Sequence, residues 1–235
     1  MSDRQLLIQL AGERVIPARL WAYASLLGTA RRWSNQGKRK PTSDRGPERG
    51  AVADMVGALG ELVAYSHLRE HGASSAALAH IRAHAFDPRG GGATLGADLV
   101  LDGGTLRVDV KAHDCDPRKR YVALNAAKHD AIRETCDAYV VIAAAPLGRR
   151  CVVSSLVPLA EVDGWEVRDL GGYGDPARVL DVPSFGARYA PGLRAALPEL
   201  RRSAYEVDAV QRIANNPEIR ERLRRHFPGL VGVVT

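Results

Sequence analysis

Cysteine is scarce in this 235-residue sequence: Cys115, Cys136 and Cys151 are odd in number, widely spaced and form no CxxC pair. That gives neither a disulfide framework nor a cysteine zinc site, and it points to a reducing compartment. No apolar run approaches the roughly 18 residues that a membrane helix requires. The N-terminal stretch MSDRQLLIQLAGER lacks the pattern of a signal peptide. A soluble cytoplasmic protein with no membrane partner is expected. No internal repeat is present, and PRGGG at 88–92 lacks the GK[ST] of a phosphate-binding loop, leaving it a connector.

Charge is plentiful, with an excess of one sign. Lys and Arg number 33 against 27 Asp and Glu, a net charge of +6 carried mostly by arginine, which suits a polyanionic partner such as nucleic acid. Hydrophobic residues make up 46%, enough to bury a core in one domain with extensions.

Residues 4–34 are predicted helical, with Leu20, Ala24 and Leu27 on one stripe. NQGKRKPTSDRGPERG, 35–50, has little to bury and is read as a linker. In 51–72, Val52, Met55, Val56, Leu59, Leu62, Val63 and Leu68 recur at helical spacing up to a stop at Gly72. Gly57 and Gly60, near one turn apart, are expected to let this helix press on a sheet and carry Glu61 inward. ADLVL and TLRVDVKA, joined through DGG, predict an antiparallel hairpin.

YVALN adds a short extended piece, and 125–137 predicts a helix capped by Asn125. AYVVIAAA, 138–145, has the continuous apolar character of a strand buried on both faces, so a right-handed crossover to a parallel strand is expected. CVVSS and RVLDV are placed at the sheet edge. The expected fold is α/β, a mixed central sheet flanked by helices. Its parts are a helical N-terminal arm (1–36), a linker (37–50), the α/β core (51–190) and a basic helical C-terminal tail (191–235).

Chemistry concentrates on LRVDVKAHD, 106–114. Asp109 and Lys111 sit two apart on a strand and therefore share a face, with Leu106, Val108 and Val110 on the other. Asp98 opens the partner strand and Glu61 lies on the preceding helix. Two converging carboxylates offer hard oxygens to Mg²⁺ or Mn²⁺, and a lysine beside them can orient or deprotonate water or neutralise charge. The plain alternative is an exposed ion pair worth ~0–1 kcal/mol, with Asp98 and Asp102 merely flanking a turn.

A helix Glu in GALGE, then GAD, then Asp-x-Lys on a strand resembles the PD-(D/E)xK nuclease superfamily, with Ala97 where the family motif has proline. The likeness covers about residues 51–157. It implies a restriction-endonuclease-like core and a Mg²⁺- or Mn²⁺-dependent endonuclease acting on DNA, in restriction or other defence against foreign DNA. Asp98, Asp109 and Glu61 would then be the acids of the metal site and Lys111 the catalytic lysine. Double-strand cutting by such a site implies a homodimer. The alternative in another class is a nucleic-acid-binding module whose nuclease-like core no longer cuts.

Secondary candidates are each open between two readings. Asn125, Lys128 and His129 are either a helix cap with a solvated face or substrate-phosphate contacts. His113 follows on the face of Lys111. Arg31, Arg32, Lys38, Arg39 and Lys40, and Arg220, Arg222, Arg224 and Arg225, are either solvated helix faces or phosphate-tracking groups on DNA, with Arg220 and Arg224 the tail's leading candidates. His67-Leu-Arg-Glu-His71 matches the HxxEH of a zinc peptidase, without an identifiable third ligand.

Overall fold

Strand β5 (Ala138–Ala145) carries apolar side chains on both of its faces and is flanked on both sides, as its sequence requires. In the computed structural model the described residues are 1–34, 46–87, 96–114, 120–145, 150–170, 176–193, 196, 217, 218, 221 and 225. Around β5 runs a mixed central sheet in the order β1 (Gly12–Val15), β6 (Arg150–Val153), β5, β3 (Leu106–Asp114), β2 (Leu99–Leu101), with β7 (Val157–Pro158) also pairing β5. Pairing of β3 with β5 is parallel, from Val108 opposite Ala138 to Asp114 opposite Ala144, and the other pairings are antiparallel. The expected strand–helix–strand crossover is therefore present, with α5 (Ala126–Ile132) on the return path.

One face of the sheet is covered by α1 (Asp3–Leu10), α2 (Ala18–Ser34), α3 (Gly46–Glu70) and α4 (Ser75–Ala85). Val108, Val110, Val140 and Ile142 point into this layer against Leu59, Leu62 and Leu27. The opposite face sends Tyr139, Val141 and Val152 into a second core with α5, α6 (Leu159–Asp163) and α7 (Val182–Tyr189). A smaller antiparallel sheet belongs to that core: β4 (Tyr121–Asn125), β9 (Ala177–Asp181), β8 (Glu166–Arg168), in the order β4-β9-β8.

Several expectations are met in detail. DGG closes the β2–β3 hairpin as a short 3-10 turn in which Asp102, Gly103 and Gly104 all have positive φ (48°, 69° and 99°), which is why two glycines are needed there. At Gly60 an added Cβ would stand 2.8 Å from the Ala112 Cβ, so α3 does rest on β3 through that residue. Gly57 has no such role, since nothing lies within 4 Å of its Cβ position. The tightest helix contact was not anticipated: a Cβ on Gly28 would meet the Met55 backbone at 2.4 Å, so α2 and α3 cross almost backbone to backbone.

Four readings are corrected. The N-terminal 34 residues are not purely helical, because GERV leaves α1 and pairs with β6 as the edge strand β1. CVVSS lies inside the sheet, between β5 and β1. RVLDV and YVALN pair with each other in the smaller sheet. The helix expected from 51 starts at Gly46. Residues 35–45 and nearly all of 194–235, including Arg220 and Arg224, lie outside the described residues, as do Cys115, Lys38, Arg39, Lys40 and PRGGG. Among the described residues no helix is long and apolar enough to cross a membrane.

Candidate active site

β2 is short, and its early end builds the site. Leu99 is the last residue paired with β3, opposite Val108. The residue before it, Asp98, offers a side chain in place of a backbone carbonyl, and its Oδ2 accepts the Val110 N–H at 2.8 Å. This turns the Asp98 carboxyl onto Asp109, and the two acids share a hydrogen bond. Lys111, two residues along the same face, brings its Nζ to 2.6 Å from Asp109 Oδ2. The two form an ion pair, so this buried oxygen has the lysine charge beside it.

The electrostatics follow from this packing. Asp109 is only 4% exposed, and burial, with the neighbouring Asp98 charge adding to it, lifts its pKa to about 7 against the opposing pull of Lys111. Burial likewise raises Asp98. Burial works against the Lys111 ammonium, but the Asp109 and Asp98 carboxylates outweigh it and hold its pKa above the ordinary lysine value. The Lys111 side chain keeps 36% of its surface, so a substrate can reach it. Tyr139 and Cys136 stand beneath the acids: burial first, and then the charge of Asp109, pushes the Cys136 thiol up to about 11 and the Tyr139 hydroxyl higher still.

Glu61 reaches the same electrostatic neighbourhood from α3. Burial raises its pKa, while Arg31, Lys111 and Asp109 each act on its charge. Its carboxylate is gripped by Arg31: Nη1 donates to Oε1 at 3.1 Å and Nη2 to Oε2 at 2.7 Å. Arg31 is itself 5% exposed, which corrects its reading as a solvated or phosphate-tracking residue. Among the described residues no three His, Cys, Asp or Glu side chains form a ready-made metal cage; the acids come together as the pair Asp98 and Asp109.

No protein-family model, curated protein or solved structure matches the chain. What it can do is therefore argued from its own residues.

The remaining candidates separate clearly. Asn125 caps α5, its Oδ1 accepting the Lys128 N–H at 2.8 Å, and both belong to the smaller sheet and its helix. His129 is fully buried, its Nδ1 hydrogen-bonded with the Tyr139 hydroxyl at 3.0 Å and its Nε2 with Asp163 Oδ1 at 2.9 Å. It is thus closed to a phosphate, which corrects that reading. His113 continues the Lys111 face opposite Ala143. The HxxEH histidines stack on each other, ring centroids 4.2 Å apart, with His67 Nε2 bonded to the Leu6 carbonyl and His71 Nδ1 to the His67 carbonyl. Those bonds commit one nitrogen of each ring to backbone. A cavity of about 560 Å³ among Tyr121, Trp165, Arg168 and Arg188 contains none of the four leading residues.

Tyr139 and Cys136 were missed from sequence, and Arg31 was given a different role there from its grip on Glu61. Tyr139 could have been found from register, since it pairs with Asp109 across the parallel strands. Nothing in the sequence separates Arg31 from the adjacent Arg32.

Proposed function

We propose that this chain is a metal-dependent nuclease that hydrolyses phosphodiester bonds of DNA, built on a restriction-endonuclease-like core. The observation that carries the reading is the meeting of two buried carboxyls, Asp98 and Asp109, with the Lys111 ammonium at the early end of β2. A surface ion pair has no need of two buried carboxyls that share a hydrogen bond. Helix, antiparallel hairpin and parallel return strand occur in the order expected of that core, which supports the fold assignment.

The donor set is hard oxygen, so the fitting cations are Mg²⁺ and Mn²⁺, with Asp98 and Asp109 as the residues that would hold one. When bound, the cation supplies Lewis acidity toward phosphate and water. Lys111, kept protonated by its acidic neighbours, neutralises charge building on the phosphate oxygens and orients the attacking water. Tyr139, Val141 and Cys136 close the floor of the site and keep it dry, which strengthens each of these interactions. The net charge of +6 favours a polyanionic substrate.

The test is to incubate the purified chain with single- and double-stranded DNA in Mg²⁺, Mn²⁺, Zn²⁺ or EDTA. Cleavage is expected with Mg²⁺ or Mn²⁺ and not with Zn²⁺ alone. Full activity in EDTA would sink the two-carboxylate site, and binding without cleavage under every cation would leave a nucleic-acid-binding module instead.

A further inference from the structure

Arg31 is the most heavily engaged charged group near the acids. Beyond its two bonds to Glu61, its Nε donates to the Asp87 carbonyl at 3.1 Å and its Nη2 to the His84 carbonyl at 3.0 Å. Those carbonyls belong to the end of α4 and the residues just after it, and the His84 carbonyl also accepts the Asp87 N–H at 3.1 Å. Four N–H donors of one guanidinium thus tie α2, α3 and the end of α4 together, with side-chain exposures of 7% for Arg31 and 14% for Glu61.

Among the described residues Glu61 does not stand with Asp98 and Asp109 as a third ligand, and moving to them would loosen its charge-assisted bonds to a buried guanidinium. Each Glu61 oxygen keeps a second lone-pair direction, enough to hold water. We infer that Arg31 is a positioning residue that keeps Glu61 out of direct contact with the cation, so that Glu61 orients water beside the acid pair and the cation is held by Asp98 and Asp109 alone. This rests on the nuclease reading above and assigns Glu61 a different task from the other two acids.

Calorimetric titration of the intact chain with Mn²⁺, without DNA, separates the possibilities, and thermal melts confirm that each variant is folded. Asp109→Asn, which removes a direct ligand, should weaken Mn²⁺ binding clearly more than Glu61→Gln, which removes none. Arg31→Met should free Glu61 to bind the cation directly, tightening Mn²⁺ at least about tenfold while slowing DNA cleavage, and the gain should vanish in the Arg31→Met/Glu61→Gln double variant. A gain that persisted in the double variant would come from removal of the Arg31 charge alone, and it would overturn the inference. So would Glu61→Gln weakening Mn²⁺ as much as Asp109→Asn, or an unchanged affinity in Arg31→Met. If Arg31→Met does not fold, the single Glu61→Gln titration decides. An Asp109→Asn variant that binds Mn²⁺ as well as the parent would remove the metal site itself, a different failure from these.

Discussion

Lys111 and Asp109 are 2.6 Å apart, yet losing one should not resemble losing the other. Lys111→Ala removes a group used mainly in the transition state, so cleavage should fall by orders of magnitude with DNA binding and folding nearly intact. Asp109→Asn should also inactivate, but through the cation, so raised Mn²⁺ should partly rescue it and not the lysine variant. Cleavage rates across a Mn²⁺ series make the comparison; two variants that cut at the parent rate would reduce the pair to surface chemistry worth under ~1 kcal/mol. Stability should move the other way. The Asp109 carboxyl titrates near 7 when folded against 3.8 ordinarily. Its contribution is therefore complete below about pH 4 and is lost as pH rises through 7, up to ~4 kcal/mol. In EDTA, Asp109→Asn should melt above the parent at pH 8, and the gap should shrink as pH falls below 7 and close below about pH 4. A gap independent of pH would show that the carboxyl titrates normally. The residue pattern Asp-x-Lys was legible because strand alternation fixes which side chains share a face. Arg31 was not, because a buried arginine and a solvated one look alike until the carboxylate that neutralises it is located in space.

At the level of elements, α3 positions Glu61 through one glycine and not two. Gly57→Ala meets nothing within 4 Å and should stabilise the protein by up to ~1 kcal/mol through helix propensity. Gly60→Ala drives a methyl into Ala112 at 2.8 Å and should destabilise by ~1–3 kcal/mol, lowering cleavage as α3 lifts from β3. Paired denaturant melts check both signs; equal effects at the two positions would mean that α3 does not bear on the sheet at Gly60. Helical spacing predicted this helix well because seven apolar residues recur on it, and the β2–β3 hairpin was legible from DGG. The partners of YVALN and RVLDV were not. Both are short alternating strands, and local pattern says nothing of which edge a strand will find; their pairing is fixed by the second core around Phe185 and Tyr189. GERV was lost for a related reason, since four residues between two helices carry too little periodicity to stand out.

For the molecule as a whole, the first ten residues are fastened rather than draped. Leu6, Leu7 and Leu10 are buried in the main core, and Asp3 reaches Ser74, accepting its N–H at 2.8 Å and its hydroxyl at 2.7 Å. Burial disfavours the Asp3 carboxylate, but those bonds outweigh it and hold its pKa below the usual value, so its contribution is present above about pH 4 and is lost as pH falls further. Asp3→Ala should cost ~1–3 kcal/mol at pH 7 and little at pH 2, read from melts at the two values. The fastening bears on β1, which covers the outer backbone of β6 from Gly12 opposite Val153 to Val15 opposite Arg150. β6 reads RCVV, nearly all apolar, and without its cover it would present unpaired N–H and C=O groups to any other chain. A chain beginning at residue 18 should therefore do more than lose stability. It should self-associate into β-rich aggregates with a lag that shortens as concentration rises, seen by light scattering and dye binding, while the intact chain stays dispersed. The N-terminal strand is thus a solubility device, and the concentration at which this protein can safely accumulate is set by how tightly ten residues of α1 and its flank hold that strand against the sheet.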